Sequence, residues 1–231
     1  MSVKIQVWDL PLRIFHWLLA LSVLAAIVTG EIGGNLIDWH GRIGALILGL
    51  LVFRIIWGFV GSTHARFASF FPTPAKIAAY LKGQWQGLGH NPLGALSVLA
   101  LLGVLATLVG AGLFANDDIA FQGPLFSLVD KALSDKLRGV HELAFNVLAV
   151  LLVLHIVAII FYARVKKHNL VVPMLTGKVA VPKDQAVSVV KAGVLRFVVA
   201  LAIAGVVVWG VSNGVQHFAP APAVPASAPG W

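Results

Sequence analysis

The sequence predicts an all-α membrane protein, in which a four-helix transmembrane bundle is followed by a fifth C-terminal transmembrane helix. Of the 231 residues, 59% are hydrophobic and only 11% are charged, whereas a soluble domain carries about 25% charged residues. The apolar residues form continuous runs, and about 20 of them in a row suffice for a helix to cross a bilayer. Because helices satisfy their backbone polar groups internally, they are the expected form of such runs in lipid. This composition excludes a soluble globular domain, a disordered chain and a nucleic-acid-binding domain.

Five apolar segments are long enough to span a membrane, and prolines lie in the connections between them. The segments are 12–30, 40–60, 93–114, 141–163 and 193–213. Residues 114–140 predict an outer loop with a short surface helix at 125–137, where apolar residues recur every three or four positions. The Ala/Pro-rich end of the chain predicts an extended tail. The chain therefore divides into a four-helix core at 1–168, a basic connection at 169–192, the fifth helix at 193–213 and the tail at 214–231.

Charge predicts the orientation of these spans. Lysine and arginine concentrate before the first span and in the connections after the second and fourth spans, whereas most acidic residues lie in the other connections. Basic connections stay on the cytoplasmic side of a membrane. We therefore expect a cytoplasmic N-terminus and, after five crossings, a C-terminus on the outer side.

Histidine is the residue type on which any metal chemistry of this chain depends. The sequence has no cysteine, which excludes disulfides, iron–sulfur clusters, thiolate zinc sites and covalently attached c-type haem. Ionisable residues inside a membrane are costly and are usually functional. Four of the eight histidines lie within or at the ends of predicted spans: His16, His40, His141 and His155.

The positions of these four histidines predict two pairs at two depths. His141 and His155 are 14 residues apart, within about 40° of four full helical turns, so they share one face of the fourth span at a separation of about 21 Å. His16 matches the inner depth of His155, and His40 matches the outer depth of His141. Two such pairs are what two stacked, non-covalently bound b haems require, with two imidazoles on each iron. A lone membrane histidine is more often a hydrogen-bonding group between helices, but four in matched pairs favour haem.

Arginines at the same two depths fit the anionic propionates of haem. Arg13 and Arg54 are predicted at the inner level, and Arg42 and Arg138 at the outer level. Ordinary snorkelling of long basic side chains to the membrane surface is the alternative for each of them.

Several longer motifs carry a family resemblance. They are VWDLPLRIFHW at the first span, DWHGRIG and FRIIWGFVG in the second, GHNPLGALSVL at the third, NDDIAFQGPL in the outer loop and HELAFNVLAVLLVLHI in the fourth. With these motifs, residues 5–165 resemble the bacterial cytochrome b561 family, the dihaem membrane cytochromes that include the b subunits of nickel–iron hydrogenases. The fifth span and its tail depart from the four-helix pattern of that family and leave the identity of the partner open.

The resemblance implies a dihaem core in the bacterial inner membrane that moves electrons between the quinone pool and a periplasmic redox protein. The family takes one iron ligand from each of the first two helices and two from the fourth, which here are His16, His40, His141 and His155. The partner would be a cytochrome c or a hydrogenase-like protein. If that partner donates electrons, the chain is a quinone reductase; if quinol donates, it reduces the partner. A non-redox transporter or a structural anchor with hydrogen-bonded histidines is the alternative.

The remaining polar residues have less defined roles. His64, His90, His168 and His217 are predicted at the surface, with participation of His64 or His90 in a quinone or proton site as the alternative. Asn91 and Trp17 are further quinone candidates beside His90. Glu142 either adjusts the potential of the outer haem or accepts a proton from quinol; the alternative is a carboxylate that simply meets water and the helix dipole at a helix end.

Overall fold

A computed structural model of the chain describes residues 2–119, 121–183 and 189–214. The described residues form eight helices and two short strands, in the order β1 Ser2–Gln6, α1 Leu10–Ile32, α2 Ile37–Val60, α3 Phe67–Phe70, α4 Pro74–Leu81, α5 Pro92–Gly112, α6 Lys131–Arg164, α7 Val171–Thr176, β2 Lys178–Pro182 and α8 Val194–Trp209. Five of these helices (α1, α2, α5, α6 and α8) are long and apolar enough to cross a membrane. The five predicted spans are therefore confirmed, whereas all but the first residue of the predicted tail at 214–231 lies outside the described residues.

Three of the long helices begin at a polar side chain that caps the backbone. The side chains of Asp9, Asn91 and Asp130 accept hydrogen bonds from backbone amides three residues further on, at 2.7–2.8 Å. Such caps satisfy amides that the first helical turn leaves unpaired. A proline in the first turn of α1 and of α5 reinforces the start, because its missing N–H is not needed there.

The fourth span starts earlier than its apolar run. The prediction of a separate surface helix at 125–137 is wrong: a single 3-10 turn at Phe126–Leu128 is followed directly by α6, which has 34 residues. Lys131 and Asp135 form an ion pair one turn apart, as do Arg138 and Glu142, and such pairs support helix in polar sequence. At about 51 Å, α6 is longer than the hydrocarbon core of about 30 Å, so its polar first turns project beyond the membrane.

A two-stranded antiparallel sheet joins the N-terminus to the connection before α8. It pairs β1 with β2 in a register that runs from Ser2 opposite Pro182 to Gln6 opposite Lys178. The backbone amides of Val7 and Trp8 continue this contact to the carbonyl of Gly177, at 2.8 and 3.1 Å. The sheet, which the sequence did not predict, thereby fixes Trp8 at the entrance of α1.

The helices pack mainly as two pairs, α1 with α2 and α5 with α6, and α2 also contacts α5. Helix α8 packs on α2, with Ala200 and Ala204 buried and with Phe197 against the rings of Phe53 and Trp57.

The two ends of the bundle are named here after the histidines that lie in them. The His16 end comprises β1, the start of α1, the end of α2 with residues 61–73, the start of α5 and the end of α6. The His40 end comprises the end of α1, the start of α2 and residues 113–130.

Candidate functional site

At the His40 end, two imidazole rings from α2 and α6 face each other. The ring centres of His40 and His141 are 6.0 Å apart, with an angle of 75° between their planes. Nδ1 of His40 lies 2.9 Å from the carbonyl oxygen of Ala26, and Nδ1 of His141 lies 2.7 Å from that of Leu108. A ring nitrogen that bonds to a carbonyl must carry the proton, so the other nitrogen, Nε2, has a free lone pair. Both rings are therefore held in the form that binds a metal through Nε2.

The same local device holds both rings. Helix α1 offers the carbonyl of Ala26 with Gly30 one turn later, and α5 offers the carbonyl of Leu108 with Gly112 one turn later. A Cβ at Gly30 would lie 2.9 Å from Nδ1 of His40, and a Cβ at Gly112 would lie 2.9 Å from Nδ1 of His141. Each glycine thus leaves the space through which the imidazole reaches the carbonyl; we call these the Gly30 and Gly112 notches. Neither notch is evident from the sequence, because a notch depends on how neighbouring helices are aligned.

A cavity of about 370 Å³ surrounds this pair. Both histidines line it, and its other walls are mainly aliphatic side chains of α1, α2, α5 and α6. On α2, the small residues Gly41, Gly44 and Ala45 line the cavity next to His40, together with Ile37 and Ile47. A mostly apolar cavity with a few convergent polar groups is typical of a cofactor site.

At the His16 end, His16 of α1 and His155 of α6 are neighbours, since His155 acts electrostatically on His16. Both side chains are half-buried. Nδ1 of His16 is shielded from solvent and has no hydrogen-bond partner in the part of the chain that the structure describes. This ring therefore lacks the carbonyl contact that both rings at the His40 end possess.

His90 is not the surface residue that the sequence predicted. The rings of Trp8 and Phe70 lie on either side of it, each with its centre 4.5 Å from the imidazole centre. Burial, together with the charges of Arg54, His64 and His16, lowers the pKa of His90 to about 3. His90 is consequently neutral at physiological pH. Its partners come from residues 8 and 70, and no local pattern in the sequence signals such contacts.

The other three histidines predicted at the surface differ from one another. His64 is half-buried, its Nε2 is shielded from solvent, and burial lowers its pKa. His168 is exposed, as predicted. His217 lies outside the described residues.

The basic segment between α2 and α5 is tied to the end of α6 by hydroxyl groups. The hydroxyls of Tyr80 in α4 and Tyr162 in α6 are hydrogen-bonded, and Nδ2 of Asn91 donates to Tyr162 at 3.0 Å. Burial and the hydrogen bond with Tyr162 raise the pKa of Tyr80 to about 12. This contact anchors α4 to the bundle, a role that the sequence did not reveal.

The profile of prokaryotic cytochrome b561 matches residues 7–177. The chain belongs to the prokaryotic cytochrome b561 family. With this match and five helices that are long and apolar enough to cross a membrane, it is a multi-pass membrane protein of a b-type cytochrome family.

Three relatives illustrate the similarity of this cytochrome to known proteins. It is 28% identical over 149 residues to a probable Ni/Fe-hydrogenase B-type cytochrome subunit of Azotobacter vinelandii, which covers 50% of this chain and 61% of that protein. It is 24% identical over 217 residues to the corresponding protein of Rhizobium leguminosarum bv. viciae, with 76% and 88% covered. It is 24% identical over 147 residues to a probable Ni/Fe-hydrogenase 1 B-type cytochrome subunit of Escherichia coli K12, with 49% and 62% covered. The cytochrome thus spans 61% of the length of the Azotobacter relative, and no solved structure matches it.

The residues at the His40 end fit haem b. Metal–imidazole bonds are about 2 Å long, so two rings that hold one metal from opposite sides have centres about 6 Å apart, which agrees with the 6.0 Å between His40 and His141. Among the described residues, no group of three or more His, Asp or Glu side chains is arranged to hold a bare metal ion. Two imidazoles alone suit an iron that brings its own equatorial ligands, as in a porphyrin.

The four arginines predicted as propionate partners occupy different surroundings. Arg138 lines the His40 cavity and pairs with Glu142 at 3.4 Å, whereas Arg42 is exposed and lies over the ring of Trp39, 5.2 Å from its centre. Arg13 donates to the carbonyl of Leu175.

Arg54 is the most buried of the four, with 2% of its surface exposed. Its Nη1 donates to the carbonyl of Ala65 at 3.2 Å, and its guanidinium lies 4.6 Å from the ring centre of Phe67. Phe67 in turn packs on the backbone of Gly58, where a Cβ would lie 2.0 Å from its ring. A cation is thus held inside the His16 end.

Proposed function

We propose that this chain carries electrons through two b haems, one ligated by His40 and His141 and the other by His16 and His155. The observation that supports this most strongly is the arrangement of the four histidines as two neighbouring pairs at opposite ends of one bundle, with both α6 ligands on one helix face. In this proposal residues 1–168 form the dihaem core, while α8 packs on the α2 side of it.

Each ligand pair keeps its haem in one-electron chemistry. Each imidazole pair would hold an iron porphyrin, which would supply one-electron transfer as its chemistry. The carbonyls of Ala26 and Leu108 hold the two rings at the His40 end in one orientation and raise their basicity. The apolar cavity wall would keep water away from a bound haem and so would influence its reduction potential.

We further propose that electrons pass between the quinone pool and a redox protein on the periplasmic side. By the positive-inside rule, the basic His16 end faces the cytoplasm and the His40 end faces the periplasm. The curated relatives are named as hydrogenase cytochrome subunits, which supports a hydrogenase-like partner; a cytochrome c is the other candidate.

The three side chains that the sequence suggested for a quinone site are each engaged with other groups of the protein. Asn91 already caps α5 and donates to Tyr162, and Nε1 of Trp17 donates to the carbonyl of Met174 at 3.4 Å. His90 is enclosed by aromatic rings.

Electron transfer across a sealed vesicle tests the proposal. The purified protein is inserted into liposomes that contain ferricyanide, and a membrane-impermeant reductant is added outside. We expect ferricyanide to be reduced with the wild-type protein and with His168→Ala, a control at an exposed position. His141→Ala and His155→Ala should each abolish the transfer, because each interrupts one of the two steps. Equal rates for wild type and His155→Ala would contradict the proposal.

A further inference from the structure

The shielded polar atoms that lack a partner are unevenly distributed. Among the described residues, the buried side-chain nitrogen and oxygen atoms without a hydrogen bond all lie at the His16 end. They are Arg13 Nε, His16 Nδ1, Ser62 Oγ, His64 Nε2 and His90 Nδ1. A buried polar atom without a partner costs about 1–3 kcal/mol, so several of them together indicate that a ligand completes this region.

Three of these atoms belong to one group of side chains, which we call the His90 cluster: His16, Arg54, His64 and His90. Arg54, His64 and His16 all act electrostatically on His90. Gly89 helps to bring two of the rings together, because its φ of +87° turns the chain and a Cβ there would lie 3.4 Å from Nδ1 of His64. The cluster therefore combines a buried cation with imidazole nitrogens that have no hydrogen-bond partner in the described ranges of the chain.

No acidic side chain among the described residues compensates the cluster fully. Asp9 acts electrostatically on Arg54, but its two oxygens already accept hydrogen bonds from the amide of Leu12 at 2.8 Å and from Nε1 of Trp57 at 3.0 Å. Arg54 itself has five N–H donors, and within the described part of the chain its side chain makes one hydrogen bond, to the carbonyl of Ala65. Donors around a buried cation are what an anion with several oxygens requires.

We infer that His64, His90 and Arg54 bind the propionate carboxylates of the haem held by His16 and His155. This inference rests on the proposed two-haem function and adds His64 and His90, which the sequence treated as surface residues. A carboxylate is the acceptor that a haem ligated by His16 brings to this group, since His16 is itself a member of the cluster. A lipid phosphate has the same chemistry and is distinguished by the experiment.

The test measures the reduction potential of the His16-end haem in purified holoprotein. A hydrogen bond withdraws negative charge from a propionate. When that bond is lost, the carboxylate becomes more negative and stabilises ferric over ferrous iron. We therefore expect His90→Leu to shift the equilibrium about tenfold toward the oxidised form, which is about 59 mV for one electron. His90→Asn keeps a donor and should restore much of the shift, and the exposed His168→Leu should have no effect. The His40-end haem should keep its potential in all variants.

A second readout identifies the acceptor. With carbon-13 in the propionate carboxyls, redox-induced infrared difference spectra report these groups alone. We expect their bands to move in His90→Leu and in His64→Leu but not in His168→Leu. The inference would be overturned if the labelled propionate bands stay in place in both variants, or if only the phosphate bands of lipid move. If His90→Leu fails to retain the haem, the band shifts in His64→Leu test the inference instead. This variant is less disruptive, because the ring of His64 is not packed between Trp8 and Phe70 as that of His90 is. A wild-type protein without a haem at this end would instead refute the proposed function.

Discussion

The two ends of the bundle hold their histidines in different ways. At the His40 end, both imidazoles bond to main-chain carbonyls through the Gly30 and Gly112 notches and border a cavity. At the His16 end, His16 has no such contact with any described residue, and the buried Arg54 belongs to a cluster whose imidazole nitrogens also lack hydrogen-bond partners there. The first site is organised by the protein alone, whereas the second contains shielded polar groups that we propose a ligand satisfies.

The largest expected effect concerns the notches. Gly112→Ala places a methyl group 2.9 Å from Nδ1 of His141, so the ring must leave the carbonyl of Leu108. We expect this variant to lose most of the haem at the His40 end and to keep the other haem. Pyridine haemochrome analysis of the purified protein measures the loss.

Gly103→Ala is the matched control for this experiment, because Gly103 lies on the same helix and a Cβ there meets nothing within 4 Å. Gly30→Ala should reproduce the loss from the other side of the pair. Full haem content in both Gly30→Ala and Gly112→Ala would show that the notches do not position the ligands.

The second prediction concerns the order of the two reduction potentials. A carbonyl that accepts the Nδ1 proton makes imidazole a stronger donor to iron, which favours ferric iron at the His40 end. The buried cation of Arg54 favours ferrous iron at the His16 end. We therefore expect the His40-end haem to have the lower potential, which favours electron flow from that end to the His16 end. Redox titration, with each haem identified by its loss in a His→Ala variant, measures the order; a higher potential at the His40 end would contradict the comparison.

The smallest expected effect concerns the anchor of α4 at the His16 end. The pKa of Tyr80 is raised to about 12, so its neutral form is favoured in the folded protein. The stabilising contribution of the Tyr80–Tyr162 contact is therefore fully present below pH 10 and is lost as the pH rises through 12. The chain has two tyrosines, which makes the tyrosinate absorbance easy to follow. We expect a component near pH 12 that Tyr80→Phe removes; its persistence in that variant would refute the assignment.

Local patterns predicted one part of this architecture and long-range packing determined the rest. Hydropathy located five spans, and the 14-residue spacing of His141 and His155 predicted one helix face, since both signals lie within single helices. The start of α6 was missed because it depends on the Asp130 cap and on ion pairs in a polar stretch. The notches were missed because, among 23 glycines, only the alignment of neighbouring helices distinguishes Gly30 and Gly112.

The His16 end was the least predictable. His90 is enclosed by Trp8 and Phe70, which are distant from it in the sequence, and β1 fixes Trp8 only by pairing with β2. A lone histidine before a proline-initiated helix carries no sign of such burial.

Haem content per chain in wild-type protein and in single-ligand variants tests the two-haem arrangement most directly. We predict two haems per chain in the wild type and one in each of the variants His16→Ala, His40→Ala, His141→Ala and His155→Ala. The spectrum lost should be the same for His40→Ala and His141→Ala, and a different one for His16→Ala and His155→Ala. A colourless protein, a single haem in the wild type, or a shared loss by His16→Ala and His141→Ala would contradict the account.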